Sequence, residues 1–374
     1  MSTAVVVGGG AIGSALFREL SVRGVRTTLV DDAAGASWHS FAWINAAAPT
    51  PRPYHELRIQ GVIRHLLYSA PRGIARFDGA LAWDGEEGAQ PVQGSNLHER
   101  VPEAAARLTD WGHQAELVDA TAVGVIEPAL ETDPIVGQPF LWSPDEGWVD
   151  LPRLVAELRT DAMRSGGRVM HGRVDDVVID GCGHVAGVSL ANGDLLTADH
   201  VAVAAGAGTS PLLARVDCLM PVDPSHGLIV RTAPLAIAAP RRVLRGPEVS
   251  IRPEPGNRVV LHSGETDPVH AEFDAGQARE AGEELLARAR PLLSSKARLH
   301  VQSIDFGIRP LSSDHLPVVG YVPGVAGLYS CQAHSGATVC LVIAELAARE
   351  LVDGCRSEML AGYGPDRFGS PTIG

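Results

Sequence analysis

Three glycines and an acid near the start of the chain form its most specific chemical pattern. Val5-Val6-Val7-Gly8-Gly9-Gly10-Ala11-Ile12-Gly13 precedes a helical stretch and then Thr27-Thr28-Leu29-Val30-Asp31-Asp32. A strand, a glycine turn, a helix and a second strand ending in an acid make the fingerprint of a dinucleotide-binding βαβ unit. Gly8 permits the tight turn, Gly10 lets a pyrophosphate approach the backbone, and Gly13 lets the helix lie close to the sheet. Amides at the helix start, around Ala11 and Ile12, then face the phosphates with the helix dipole behind them. Asp31 stands where a carboxylate takes the ribose hydroxyls, and Asp32 beside it can exchange roles with it. These residues leave open which dinucleotide is bound.

The elements that must position this turn are legible in the same stretch. Small aliphatics before Gly8 suit a buried parallel strand, Ala15, Leu16 and Leu20 share one helical stripe, and Gly24 closes the helix. Residues 36–46 mix small, aromatic and hydrogen-bonding side chains without a period, as a ligand-lining loop does. Helical spacing runs over residues 54–69, and a Gly- and Pro-rich acidic region reaches residue 144. Asp150 is placed to cap a helix with Pro152 in its first turn, ending at residue 165 before Gly166-Gly167. Strand patterns follow at 173–179, 185–190 and 201–205, with Asn192-Gly193 as a hairpin signal between the last two. A β-rich stretch at 219–263 leads to a helix at 275–289. The last block has a strand ending at Phe306, a loop, a strand at 328–331 and a helix at 337–351 with Gly354 beyond it. Nucleotide-type blocks alternate with β-rich ones, so the pattern predicts two domains threaded through each other.

Composition sets outer bounds. A chain of 374 residues can bury a large core and form two domains, and 45% hydrophobic with 20% charged residues is ordinary for a globular protein. A formal charge of −13 without a basic cluster argues against nucleic-acid and anionic-membrane surfaces. No apolar run has transmembrane length, and the chain enters its first strand without a signal-type segment, which points to the cytoplasm. Cys182, Cys218, Cys331, Cys340 and Cys355 are scattered and unpaired in pattern, so neither a metal nor a disulfide framework is expected. Lys296 is the sole lysine, so lysine chemistry has one candidate, in a polar stretch that does not suit it.

Four segments in order resemble the D-amino acid oxidase family of flavoproteins. They are the Gly8 to Asp31 fingerprint, Glu146-Gly147-Trp148-Val149-Asp150-Leu151-Pro152, Ala202-Val203-Ala204-Ala205-Gly206-Ala207, and the run from Gly307-Ile308-Arg309-Pro310 through Asp314-His315-Leu316-Pro317 to Ala333-His334-Ser335-Gly336. The resemblance implies an α/β fold of the glutathione-reductase-2 type. In it a Rossmann-like FAD-binding domain (1–80, 144–216 and 304–374) is interleaved with a β-rich antiparallel-sheet substrate domain (81–143 and 217–303).

FAD is the implied cofactor, with Gly8, Gly10 and Gly13 on its pyrophosphate and Asp31 on its ribose. Val174 would meet the adenine, Ala205 and Gly206 would pass near the cofactor, and Ser37, His39 and Ser40 would wrap its diphosphate and flavin. His334, Ser335, Gly336, Ala337 and Thr338 lead into a helix whose amides would face the flavin and favour the negative charge that builds there. Arg309 matches the arginine that holds the substrate carboxylate in glycine oxidase, as a guanidinium fork can. His262 matches a substrate-facing histidine of monomeric sarcosine oxidase, able to hydrogen-bond substrate or take a proton. Arg252, two residues from Ser250 on one strand face, is a further pocket candidate.

The departures also carry information. An oxygen-activating lysine of monomeric sarcosine oxidase corresponds to Arg258. The cysteine that carries its flavin corresponds to Gly307, so FAD is expected to be non-covalent. Trp43 and Asn45 stand where its substrate-loop arginines lie, so a different, more apolar pocket is expected. The resemblance therefore implies an FAD-dependent enzyme that oxidises a C–N bond of an amino acid or secondary or cyclic amine to an imine, with oxygen or another electron acceptor. A 2-hydroxy-acid dehydrogenase and a flavin subunit relaying electrons to a partner are the alternatives.

Overall fold

The computed structural model describes residues 2–85, 90–91, 98–135, 137–267 and 274–369. Five parallel strands and one antiparallel edge strand form the first sheet. Their order is Arg168–His171, Arg26–Asp31, Thr3–Val7, His200–Val203, Leu328–Gln332 and the antiparallel Val318–Tyr321. Alternation along the first strand explains its two-sided cover. Ala4 and Val6 pack with the helices Ala11–Val22, Arg52–Tyr68, Leu151–Arg164 and Gly336–Asp353, whereas Val5 and Val7 pack on the other face under Val177, Val188 and Leu190.

That second cover is a three-stranded antiparallel meander, Val174–Ile179, Val185–Leu190 and Leu195–Thr197. The Asn192-Gly193 hairpin therefore joins 185–190 to a short strand at 195–197. It does not join 185–190 to the strand at 201–205 expected from sequence, which lies in the parallel sheet. A tight turn constrains only its immediate neighbours, and Leu195–Thr197 is too short to show a period.

The second large sheet has eight strands, ordered Val301–Ser312, Val222–Thr232, Arg258–His262, Ser250–Glu254, Val243–Arg245, Ala80–Trp83, Phe140–Ser143 and Glu116–Val118. It is antiparallel except where Val243–Arg245 runs parallel to Ala80–Trp83. Leu228, Val230, Leu244, Ile251, Val259 and Leu261 point to one face, onto Leu285, Leu286 and Ala289 of the helix Ala275–Ala289. The alternate residues, Gly227, Ile229, Arg245, Ser250 and His262, point to the other face and line a cleft. The strand expected to end at Phe306 continues to Ser312, through Arg309 and across the expected domain boundary at 304. It is an edge strand, where Pro310 leaves no ladder donor missing.

Several helix ends lie where their caps predict. Asp150 accepts from the Arg153 amide at 3.1 Å, and Gly354 ends the last helix at φ 70°. A Cβ added to Gly13 would run into the Gly8 carbonyl, so helix and turn touch through hydrogen alone. Gly13→Ala is expected to lower unfolding free energy by about 1–3 kcal/mol in denaturant melts. Gly124→Ala, in a helix with open space around it, is expected to leave stability unchanged or raise it slightly.

Candidate active site

One continuous cleft of about 1940 Å³ runs from the glycine turn to the face of the eight-stranded sheet. Ordinary small-molecule sites occupy about 300–1,000 Å³, so this volume suits a dinucleotide together with a substrate. Gly8, Gly10, Ala11, Ile12, Asp31 and Asp32 line one end, and Ser37, His39, Ser40, Val174, Ala205 and Gly206 line its length. His262, Arg309 and His334, Ser335, Gly336, Ala337 and Thr338 line the other end. Two expected residues stand outside it.

Gly13 lies behind the turn, where it allows packing and does not face a ligand. Arg252 is buried on the same sheet face as His262 but is covered by Trp148, whose ring centre lies 4.9 Å from its guanidinium. It donates to the Pro253 carbonyl at 2.9 Å and pairs with Glu254 at 3.5 Å, so it braces the sheet. Burial pushes its pKa down to about 10, and it remains a cation at neutral pH.

At the phosphate end Gly8 adopts φ 95°, which suits glycine, and the following helix has no side-chain cap at Gly10. Ser37 Oγ accepts from the Ala11 amide at 3.0 Å. Asp31 accepts from the Gly9 amide at 3.0 Å and pairs with Arg159 at 2.5 Å. Arg159 also reaches Ser14 Oγ at 3.1 Å and the Gly9 carbonyl at 2.5 Å. Asp31 thus braces the turn while each oxygen keeps a further lone pair, and Asp32 lies exposed at the rim.

Toward the sheet, Thr338 Oγ1 donates to the Trp43 carbonyl and accepts from the Asn45 amide, both at 3.2 Å. Arg58, buried, donates to the Asn45 carbonyl at 3.0 Å, to Asn45 Oδ1 and to Ser335 Oγ at 3.4 Å. The second helix start, at Gly336, also lacks a side-chain cap. Burial, with Arg309 and Arg58 nearby, pushes His334 down to about 3, so its ring is neutral.

Arg309 lies flat over Gly227, whose added Cβ would come within 3.0 Å of the guanidinium carbon. Its Nη2 donates to Ser225 Oγ at 2.9 Å, to the His226 carbonyl at 2.7 Å and to Asp267 at 2.7 Å. Asp267 also lies 3.5 Å from His262 Nε2 and accepts from the Leu228 amide at 2.8 Å. Arg258 is not among the residues facing the cleft.

Arg58, Asp267, Arg159, Glu146, Arg245 and Gly227 are site residues that the sequence reading missed. Arg245 ends a strand at Gly246-Pro247, a signal comparable to that of His262 at its own strand end. Glu146 opens one of the four segments that carry the resemblance, and the others contact residues distant in sequence and leave no local mark.

The dinucleotide fits this cleft on the structure's own terms. At neither helix start does the N-cap residue's own side chain bond the helix amides, space beside Gly206 is open, and buried polar atoms of the lining residues His39, Arg309 and Gln332 have no hydrogen-bond partner among the described residues. A nucleotide turn at one end and a polar sheet face at the other define a dinucleotide-dependent oxidoreductase. The chain belongs to the DAO family of FAD-dependent oxidoreductases, whose model matches residues 3–350.

It is 28% identical over 359 residues to the glycine oxidase of Pseudomonas aeruginosa, covering 93% of each chain. It is 30% identical over 285 residues to a D-amino acid dehydrogenase of Cereibacter sphaeroides, covering 72% of this chain and 62% of the other. The glycine oxidase structure from Geobacillus kaustophilus superposes with a TM-score of 0.83 at 23% identity, covering 98% of this chain and 99% of that one, a likeness of fold. The protein is an FAD-dependent enzyme. No helix among the described residues is long and apolar enough to cross a membrane.

Glu146, buried in a small cavity that Trp43 and Arg245 also line, accepts from the Ala46 and Ala47 amides at 2.9 and 2.7 Å, and its Oε2 has no hydrogen-bond partner among the described residues. Burial raises its pKa from 4.5 to about 7 against the pull of these amides and of Arg58 and Arg245. The folded state therefore holds this proton more tightly than the unfolded chain, and the carboxyl destabilises the fold progressively as pH rises from about 4.5 to about 7. Glu146→Gln keeps the acceptor without that penalty. Its stability relative to the parent is expected to improve by about 2–4 kcal/mol between pH 4.5 and 8 in chemical melts, then level off.

Proposed function

We propose that the enzyme oxidises the C–N bond of a carboxylated amino acid or secondary amine to an imine, with FAD held non-covalently. Arg309 beside His262 on the cleft floor carries this reading, because it sets a cation and a proton acceptor side by side at the end of the cleft away from the glycine turn. FAD, when bound, supplies the two-electron acceptor for the C–H bond next to nitrogen, and oxygen or another acceptor takes the electrons on.

The glycine turn, the helix start at Ala11 and the Ser37–Ser40 turn would hold the diphosphate, Val174 would meet the adenine, and Asp31 or Asp32 would take the ribose hydroxyls. Residues 334–338 supply the amide-rich end that favours negative charge at the reacting edge. With Nη2 taken by protein, Arg309 offers Nη1 to a substrate carboxylate, and Asp267 keeps the guanidinium from swinging. His262 accepts the ammonium proton, and Asp267 beside it gives the resulting imidazolium a counter-charge. Gly307, packed against His39, offers no side chain for a covalent flavin link.

Acid precipitation is expected to release all the yellow colour into solution. Anaerobic mixing with amino acids of both configurations, N-methyl and cyclic amino acids, and 2-hydroxy acids is expected to bleach the flavin with the amines alone. Bleaching by hydroxy acids only would replace this reading with a 2-hydroxy-acid dehydrogenase. Bleaching by no substrate would favour an electron-relay subunit. Arg309→Ala is expected to lower kcat/KM for a carboxylated amine about 30- to 1,000-fold, chiefly through KM. An unchanged value would remove Arg309 from substrate binding.

A further inference from the structure

Strand register lays out the cleft floor. Arg245 pairs with Ser250, and Ser250 with His262, so these three side chains form one row across three strands on the cleft side. Gly227 opposite Gly307 and Ser225 opposite Arg309 continue that face on the far strands. Two arginines thus stand at opposite ends of one floor.

They differ in what they already hold. Arg309 is anchored through Nη2 by Ser225, His226 and Asp267. Arg245 lies 5.4 Å from the centre of the Trp43 ring, which backs its guanidinium, and among the described residues it makes no hydrogen bond or ion pair. Glu146 and Arg58 act on it only through space. One oxygen of Glu146 is taken by two backbone amides, and burial holds its proton to about pH 7, so its charge offsets Arg245 incompletely. A half-buried guanidinium that lines the cleft with none of its five donors taken by described protein groups is free to take a ligand, and a planar fork is matched by a carboxylate.

We propose that Arg245 binds a second carboxylate of the substrate, which is a dicarboxylic amino or secondary-amino acid. This rests on the reading that the cleft oxidises a carboxylated amine. Trp43 then serves as the plate that fixes the guanidinium plane, and it does not serve to make the pocket apolar. Arg309 and Arg245 take one carboxylate each, with His262 between them near the nitrogen.

Two measurements on the FAD-loaded enzyme test this. Unreactive malonate, succinate and glutarate are titrated against acetate, propionate and butyrate, reading the flavin absorbance. One diacid is expected to bind at least 10-fold more tightly than its monoacid counterpart, with Arg245→Met erasing that advantage and Arg245→Lys keeping part of it. Turnover of aspartate, glutamate and N-(carboxymethyl)glycine is compared with that of alanine and N-methylglycine. The diacid-to-monoacid ratio of kcat/KM is expected to fall about 10- to 100-fold in Arg245→Met, through KM.

Equal binding of mono- and diacids by the parent overturns the proposal. So does an equal loss for both classes in Arg245→Met at unchanged FAD content and melting temperature, which would make Arg245 the holder of a single carboxylate. If no amine bleaches the flavin but the Arg245-dependent diacid preference persists, the second-carboxylate site stands and the C–N reading falls.

Discussion

The structure depends on one close approach, that of the helix Ala11–Val22 to the strand Thr3–Val7 across the Gly8–Gly13 turn. No side chain separates the Gly13 backbone from the Gly8 carbonyl, and the space this saves brings the helix amides to the mouth of the cleft. Asp31 and Arg159 clamp the turn from below through Gly9, so the phosphate end is rigid before any ligand arrives. The same helix packs against both Leu151–Arg164 and Gly336–Asp353, which passes that rigidity to the second helix start, at the sheet end of the cleft.

Charge is distributed along the cleft by a common rule: a buried or half-buried arginine is held by carbonyls or a carboxylate and presents what remains of its donors. Arg58 ties residue 45 to Ser335, and Arg309 is tied to Asp267, so each cation fixes two chain segments as well as its own position. Arg245 and Glu146 depart from the rule: among the described residues the Arg245 guanidinium, open to the cleft, has no hydrogen-bond partner, and one buried oxygen of Glu146 has none, in a largely apolar surrounding. Such incomplete satisfaction is costly in a protein interior and is characteristic of places where a ligand completes the set.

Wherever a local rule decides the outcome, the fold was legible in the sequence. The glycine turn, the Asp150 cap, the helix at 275–289 and the Gly354 terminus follow from spacing, caps and φ preferences of nearby residues. The strand through Arg309 was not legible, because Gly307 and Pro310 read as turn residues unless the strand is known to lie at an edge opposite Gly227 and Pro224. Arg252 and Arg245 are alike in sequence, each an arginine on a short strand with a small residue nearby. Only the position of Trp148 over one and Trp43 beside the other decides which opens to the cleft. Asp267 contacts Arg309 over 42 residues, a pairing no periodicity encodes.

The parallel sheet places Thr3–Val7 between Arg26–Asp31 and His200–Val203, with Leu328–Gln332 beyond. During synthesis the first strand therefore waits with one edge unpaired for some two hundred residues, and the cleft gains its second helix start only when the last long helix has formed. Val243–Arg245 likewise completes its sheet by joining a strand near residue 80. Long-range pairing of this kind makes assembly slow and leaves apolar strand edges exposed meanwhile. The helix Gly336–Asp353 must form before the cleft has its second helix start, so a chain cut short of it lacks the end of the site that faces the sheet.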